Sequence, residues 1–246
     1  MANEAKVFYG LSNVHYALLT ESRDPETGKI VTTYGTPKLW PGAVNITLDP
    51  SGSPVIFSAD NTAYYTIMNN QGYEGDFETA MIPDEIRVDT LGNRKDDKGF
   101  IVETDHDEVS YFALMFEFNT DKNPNRYIFY KVSLAERPSV ASSTVDVTGD
   151  IEIKTETVKF KAMPQTSATV IDGVECHLVK AFTGKDIDAT AYENFYSAVY
   201  TPSFDGESWY LSKEFWKMQE AMRMCCLFFK LKKEEKKDVR HRKNYY

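Results

Sequence analysis

Three carboxylates lie at alternate positions in the sequence, at Glu74, Asp76 and Glu78. Alternation with Tyr73, Gly75, Phe77 and Thr79 has the period of a β-strand, so the acids should share one face. Paired carboxylates can act as the acid and base of a glycosidase, but such a pair needs two different environments. Nothing in this repeat distinguishes one acid from the next. The repeat therefore favours the solvent-facing side of a sheet.

Other residues with chemical potential do not combine into a site. Cys176 and His177 are adjacent, so in a strand their side chains point to opposite faces and cannot form a nucleophile–base pair. The run from Asp121 to Asn125 begins like a calcium loop, but Arg126 stands where that loop needs glycine. Asp105, Asp107 and Glu108 form a loop cluster of acids that is more typical of a solvated surface. We expect no catalytic residues, no cofactor and no metal site, and therefore no enzyme.

Composition sets broad limits on the class of protein. The chain has 246 residues with 28 Lys and Arg against 37 Asp and Glu, a formal net charge of −9. Three Cys and no signal-like start favour folding in a reducing cytoplasm, and no apolar run is long enough for a transmembrane helix. Residues 1–206 carry a net charge of −14, which should repel phosphates and argues against nucleic-acid binding.

Strand patterns separated by turn residues fill most of the chain. The patterns predict strands at 14–20, 30–34, 44–48, 55–58, 63–68, 73–81, 111–118, 126–134 and 158–162, and a hairpin around Asp172-Gly173. Residues 55–58 are typical of a short buried strand. Residues 83–92 predict a short helix that ends at a glycine, and 189–199 have helical spacing. The sequence thus predicts a mainly β domain over residues 1–200, either a sandwich or barrel-like, with a short flanking helix.

Residues 14–38 predict a long and partly exposed hairpin. Its turn contains the polar and turn-forming residues Arg23, Asp24, Pro25, Gly28 and Lys29. An exposed hairpin can extend the sheet of a neighbouring subunit, so this one is our candidate for contacts between subunits.

Residues 201–246 differ from the body in charge and pattern. The part from 207 onward carries a net charge of +5, and apolar residues recur there at spacings of three and four. We predict a basic helical extension, most typical of a protein contact, although a membrane-surface helix has the same character. The predicted seam comprises Leu211, Phe215, Met218, Met222, Cys225 and Phe229.

Several blocks of sequence resemble the major tail proteins, or tail tube proteins, of long-tailed non-contractile phages of Gram-positive hosts. The resemblance spans roughly residues 1–200. It rests on residues 59–65 and 70–84, on 112–118, on 130–138 with its Ala-Glu-Arg-Pro end, on the acidic loop 96–99, and on the starting blocks 7–11 and 14–17.

That resemblance implies a structural virion protein, assembled in the host cytoplasm. Subunits would form hexameric rings that stack into a tube, with double-stranded DNA as transient cargo in the lumen. The implied partners are further copies of the chain, a tape measure protein, a tail terminator, and baseplate or distal tail proteins. Glu74, Asp76 and Glu78 are then the candidates for the lumen face. A carbohydrate-binding β-sandwich of a virion or cytoplasmic protein is the alternative.

Overall fold

The structure is a computed structural model. It describes residues 7–59, 61–120, 123–142, 153–171 and 173–204. The described residues form sixteen strands and two helices. The helices are α1 Asp84–Leu91 and α2 Ala189–Glu193. The strands are β1 Phe8–Arg23, β2 Ile30–Tyr34, β3 Lys38–Leu39, β4 Ala43–Ile46, β5 Asp49–Ser51, β6 Val55–Ala59, β7 Thr62–Ile67, β8 Gly72–Thr79, β9 Arg94–Lys95, β10 Ile101–Val102, β11 Phe112–Thr120, β12 Asn125–Leu134, β13 Glu156–Met163, β14 Ala168–Ile171, β15 Val174–His177 and β16 Lys180–Phe182.

One antiparallel sheet of ten strands organises the body. Its strand order is β2-β1-β11-β12-β13-β8-β4, while β3 pairs with β1, β5 with β8 and β16 with β12. Strand β4 at one end also lies beside β1, so the sheet curls back on itself. The mainly β fold with a barrel-like sheet is therefore confirmed. The pairs β6–β7, β9–β10 and β14–β15 form three separate two-stranded sheets.

The main core fills the concave side of the curled sheet. Alternate residues of its strands face inward, as Phe77 does on β8 and Phe160 on β13, and both side chains are buried. The Trp40 ring meets Phe77 edge to face, with centroids 5.0 Å apart. Helix α1 adds Ile86 and Leu91 to this cluster, so the short flanking helix closes part of the core.

A second buried cluster lies on the other face of the central strands. Met115 of β11 and Ile128 and Tyr130 of β12 pack there against Phe195, which follows α2. Strands covered on both faces need apolar side chains at consecutive positions. This explains the unbroken buried run from Phe112 to Phe116.

Helix α1 has the boundaries that its sequence predicts. Pro83 stands at its start, and Gly92 ends it in the left-handed conformation with φ +76°. The Glu156 carboxylate of β13 accepts the Ile82 N–H at 2.8 Å and also binds Arg87, so it fastens the start of the helix to the sheet.

Helix α2 is shorter than predicted. It ends at Glu193, whereas the helical spacing continues to Val199. Beyond it the N–H groups of Phe195 and Ser197 bond to carbonyls three residues back, which is the pattern of tight turns. Asn, Phe, Tyr and Ser are weak helix formers, and the seating of Phe195 in the second cluster outweighs the helical spacing.

The chain divides into two compact units, Met1–Tyr200 and Thr201–Tyr246. Only residues 201–204 of the second unit are described. The helical extension and its seam (Leu211, Phe215, Met218, Met222, Cys225 and Phe229) lie outside the described residues and stay predictions.

Candidate functional site

The acidic stripe on β8 has the alternation that its sequence predicts. Glu74 and Asp76 are exposed and Glu78 is half-buried, whereas Phe77 between them points into the core. Strand β13 runs beside β8 with Lys161 opposite Glu74, Lys159 opposite Asp76 and Thr157 opposite Glu78. Two lysines therefore share the face of the three carboxylates.

These lysines make the face one of mixed charge. Lys161 Nζ lies 2.7 Å from Glu74 Oε1, and this hydrogen bond is the main cause that holds the pKa of Glu74 below its usual range. Lys159 approaches Glu136 at 3.1 Å, and the Thr155 hydroxyl donates to Glu78. The stripe is less negative than its sequence suggests, and no buried carboxylate stands ready there to act as a proton donor. Its place in a lumen stays a prediction.

The exposed turn between β1 and β2 is built around Asp24. Its carboxylate accepts the Glu26 N–H at 2.9 Å and the Thr27 hydroxyl at 2.6 Å. Gly28 supplies a positive φ of +68°. Lys29 Nζ pairs at 3.1 Å with Glu175 of β15, so this tip meets another exposed hairpin of its own chain. The hairpin expected over residues 14–38 is present, and its role between subunits stays a prediction.

The hairpin of β6 and β7 is the least covered apolar element that the described residues contain. Its two strands hydrogen-bond only to each other within the described chain. Side chains on both of its faces are more than half exposed, from 52% to 81%. They are Val55, Ile56, Phe57, Tyr64, Tyr65, Ile67 and Met68. The prediction that residues 55–58 form a buried strand is wrong, because no other part of the described chain covers them.

One feature of the sequence indicates that this hairpin needs cover on both faces. Residues 53–70 contain a single charged residue, Asp60. They lie between turn residues, and they carry apolar side chains at both odd and even positions. A strand that is apolar on both faces needs cover on both faces. The sequence does not reveal whether that cover comes from the same chain.

A row of aromatic rings crosses four strands at one end of the main sheet. Phe8 of β1 lies 6.2 Å from Phe118 of β11, Phe118 lies 5.4 Å from Tyr127 of β12, and Tyr127 lies 5.9 Å from Phe182 of β16. The two middle rings pack on the main core. The outer rings, Phe8 and Phe182, are 61% and 60% exposed. We call these four residues the aromatic row.

The candidate chemical groups do not assemble into a reactive centre. His177 Nδ1 lies 2.9 Å from the Gln165 carbonyl, and Cys176 occupies the neighbouring position on β15. In the acidic loop, Asp107 binds Thr104 and Asn93, and the Thr104 hydroxyl is the main cause that lowers its pKa. Among the described residues there is no group of three ligating side chains placed to hold a metal ion. Asp121, the first residue of the calcium-like run, lies outside the described residues.

A buried ion pair between β11 and β12 also contacts α2 and the segment after it. Arg126 Nε lies 3.1 Å from Glu117 Oε2, and the side chains are only 16% and 7% exposed. The guanidinium carbon lies 3.8 Å from the Tyr192 ring centroid, and the same group donates to the Tyr192 carbonyl. Glu117 also accepts from Asn13 and from the Tyr196 hydroxyl. This network holds α2 and the segment after it against the central strands.

No helix that the described residues form is both long and apolar enough to cross a membrane. Comparison with known proteins found no family model that matches the chain and no match among curated proteins. The described part of the chain thus defines a class by its own architecture, a mainly β protein with a flanking helix and an uncovered apolar hairpin.

Proposed function

We propose that this protein is a structural subunit of a phage tail, the major tail protein that stacks as hexameric rings into a tube. The observation that carries the proposal is the uncovered hairpin of β6 and β7. A protein that works alone seldom exposes a contiguous apolar surface with open strand edges, because such a surface promotes association.

Copies of the chain itself are the partners that this surface suits best. The hairpin lacks the charged edge residues with which natural sheets prevent edge-to-edge pairing. Repetition of one contact around a closed ring would bury the hairpin of every copy. The resemblance to tail tube proteins supplies the hexameric ring, and it also suggests the tape measure, terminator and baseplate proteins as further partners in the virion.

The charge of the body suits a conduit for double-stranded DNA. A net charge of −14 over residues 1–206 repels phosphate, so DNA would pass through the lumen without being retained. Glu74, Asp76 and Glu78 are our candidates for the lumen face. Lys159 and Lys161 moderate their charge, which would leave a weakly repulsive wall.

Assembly of the full chain tests this proposal. Electron microscopy of concentrated protein should show rings or tubes, and analytical ultracentrifugation should show oligomers. Replacement of the cross-strand pair Phe57 and Tyr65 by lysine should abolish them while the circular dichroism spectrum is unchanged. The matched control replaces Val170 and Val174 of the β14–β15 hairpin, which are exposed to a similar degree. A parent chain that stays monomeric at high concentration would refute the proposal.

Carbohydrate binding is the second candidate, and exposed tyrosines favour it. Tyr64 and Tyr65 are 71% and 61% exposed, and sugar rings stack on such side chains. Nuclear magnetic resonance titration with a panel of soluble oligosaccharides would test it. Shifts confined to β6 and β7 in a strictly monomeric protein would favour this candidate over the tail subunit.

A further inference from the structure

The chain exposes two apolar surfaces of different shape. One is the projecting hairpin of β6 and β7, and the other is the aromatic row formed by Phe8, Phe118, Tyr127 and Phe182. The row is continuous with the main core through its two middle rings, so it resembles a part of the core left open at one end. A contact between unlike surfaces of identical chains is heterologous, and it builds rings or filaments.

Strand register places the base of the hairpin and the aromatic row at the same end of the sheet. The hairpin leads directly into Gly72, the first residue of β8, and Tyr73 lies opposite Ala162 near the end of β13. At that end β13 finishes with Met163 opposite Lys131. Tyr127 precedes Lys131 on β12, and β12 runs antiparallel to β13. Tyr127 therefore lies beyond Met163 at the same end of the sheet.

The other members of the row lie at this end as well. Phe8 at the start of β1 is opposite Thr120 at the end of β11, and Phe182 is opposite Tyr127. The Tyr73 ring lies 5.4 Å from Phe129, which confirms that the start of β8 and the start of β12 are close. The base of the hairpin and the aromatic row therefore lie at the same end of the sheet.

We propose that the β6–β7 hairpin of one copy docks on the aromatic row of a copy standing beside it. Because the two surfaces differ, the contact is heterologous, and its repetition closes a ring. The contact therefore links neighbours within a ring. This inference rests on the proposed self-association and names the surfaces that carry it.

One face of the hairpin is apolar enough to lie on the row. Phe57 pairs with Tyr65 and Val55 with Ile67, so these four side chains share a face, and each is more than half exposed. An aromatic side chain can bury roughly 150 Å² or more, so this face offers less than the about 800 Å² per partner of a standard interface. Repetition of the contact around a closed ring compensates for its size, because each copy is then held by two neighbours. The rings of Phe57 and Tyr65 can meet the rings of the row edge to face.

The hairpin leaves its own aromatic row uncovered. Phe8 and Phe182 are exposed in the same structure in which the hairpin side chains are exposed. A second copy is therefore the occupant that satisfies both surfaces at once.

Cross-linking between two variants tests the contact. Cys176, Cys225 and Cys226 are first replaced by serine. Thr66→Cys then marks the hairpin and Lys180→Cys marks the edge of the row; both residues are exposed and no aromatic ring is changed. Mixed variants treated with a short bismaleimide should give a 66–180 cross-link within assembled particles, and neither variant alone should give it. Val170→Cys mixed with Thr66→Cys is the matched control.

The outcomes separate this inference from the proposed function. Particles that form normally but contain no 66–180 cross-link would overturn the docking contact and leave self-association intact. A chain that forms no particles at all would refute both. As a second measurement, Phe8→Ser with Phe182→Ser should lower the apparent association constant at least tenfold in ultracentrifugation. Unchanged association, or saturable binding of an oligosaccharide to the row in a monomer, would also overturn the contact.

Discussion

Glu117 and Arg126 are charged residues that the fold encloses almost completely. The pair costs desolvation energy, which the added hydrogen bonds from Asn13 and Tyr196 and the stacking on Tyr192 offset. Removal of one partner leaves an uncompensated charge inside the protein. The sequence indicates neither this burial nor this pairing, although the two residues are only nine positions apart.

We predict that Arg126→Met destabilises the protein by about 3–5 kcal/mol, because it leaves the Glu117 carboxylate buried without its cation. The double variant with Glu117→Gln should recover part of this loss. Chemical denaturation monitored by fluorescence would measure both. The matched control is Lys159→Met, which breaks an exposed pair with Glu136 and should change stability by less than about 1 kcal/mol. Equal effects at the two sites would contradict the prediction.

Asp24 gives the exposed turn between β1 and β2 a dependence on pH. The Thr27 hydroxyl is the main cause that lowers the pKa of this carboxyl, and the Glu26 N–H also contributes. A lowered pKa means that the ordered turn is favoured above the usual range of aspartate and is lost as the pH falls through the lowered value. The amide resonance of Glu26 should shift in that acid range. In Asp24→Asn the same resonance should not titrate, and a shift that persists there would assign it to another group.

At the residue scale the sequence indicates faces but not neighbours. The period of two in residues 73–79 places Glu74 and Asp76 outside and Phe77 inside, as the structure has them. It does not reveal Lys159 and Lys161, because those residues lie more than eighty positions later and their register against β8 depends on the whole sheet. The face therefore carries mixed charge, although its local sequence is purely acidic.

At the scale of elements, buried segments are predictable and exposed apolar ones are not. Strands β11 and β12 and helix α1 follow from their sequences, because burial and glycine at a helix end leave a local pattern. Residues 55–58 carry the same β-branched and aromatic pattern as a core strand. The pattern reports that the segment needs cover, and it does not identify the chain that provides the cover.

Gly92 at the end of α1 should tolerate no side chain. Its φ is +76°, and a Cβ there would lie 2.4 Å from the Glu108 carbonyl oxygen. Gly92→Ala therefore adds a steric clash to the backbone strain and should lower stability by roughly 2–4 kcal/mol. Gly28→Ala is the matched control, since its φ is +68° and nothing lies within 4 Å of the added carbon. It should lower stability by about 1 kcal/mol. Thermal unfolding of both variants measures the difference, and similar losses would refute the role of the clash.

At the scale of the whole molecule, charge and assembly meet in the proposed tube. Reversal of Glu74, Asp76 and Glu78 to lysine would turn the candidate lumen face from weakly repulsive to strongly attractive for DNA. We predict slower release of DNA from assembled particles, with a delay that shrinks as salt is raised. Release can be followed with a DNA-binding dye after receptor triggering.

The control for this experiment reverses three exposed acids elsewhere, Asp97, Asp105 and Glu108, so that the change in net charge is the same. Particles of the control should release DNA at the parent rate. Unchanged release from the stripe variant would remove these three residues from the lumen. Equal delays in both variants would show that total charge matters more than position.

The stacking of Tyr192 on Arg126 also bears on how the molecule responds to mechanical load. Tension applied to the chain after Tyr200 would reach α2 and the segment after it, which are held to β12 by the Arg126 guanidinium and by the packing of Phe195. Strand β12 lies in the middle of the ten-stranded sheet, where neighbours on both sides share the strain. Single-molecule stretching from Tyr200 should therefore meet resistance from β12 before any outer strand peels away.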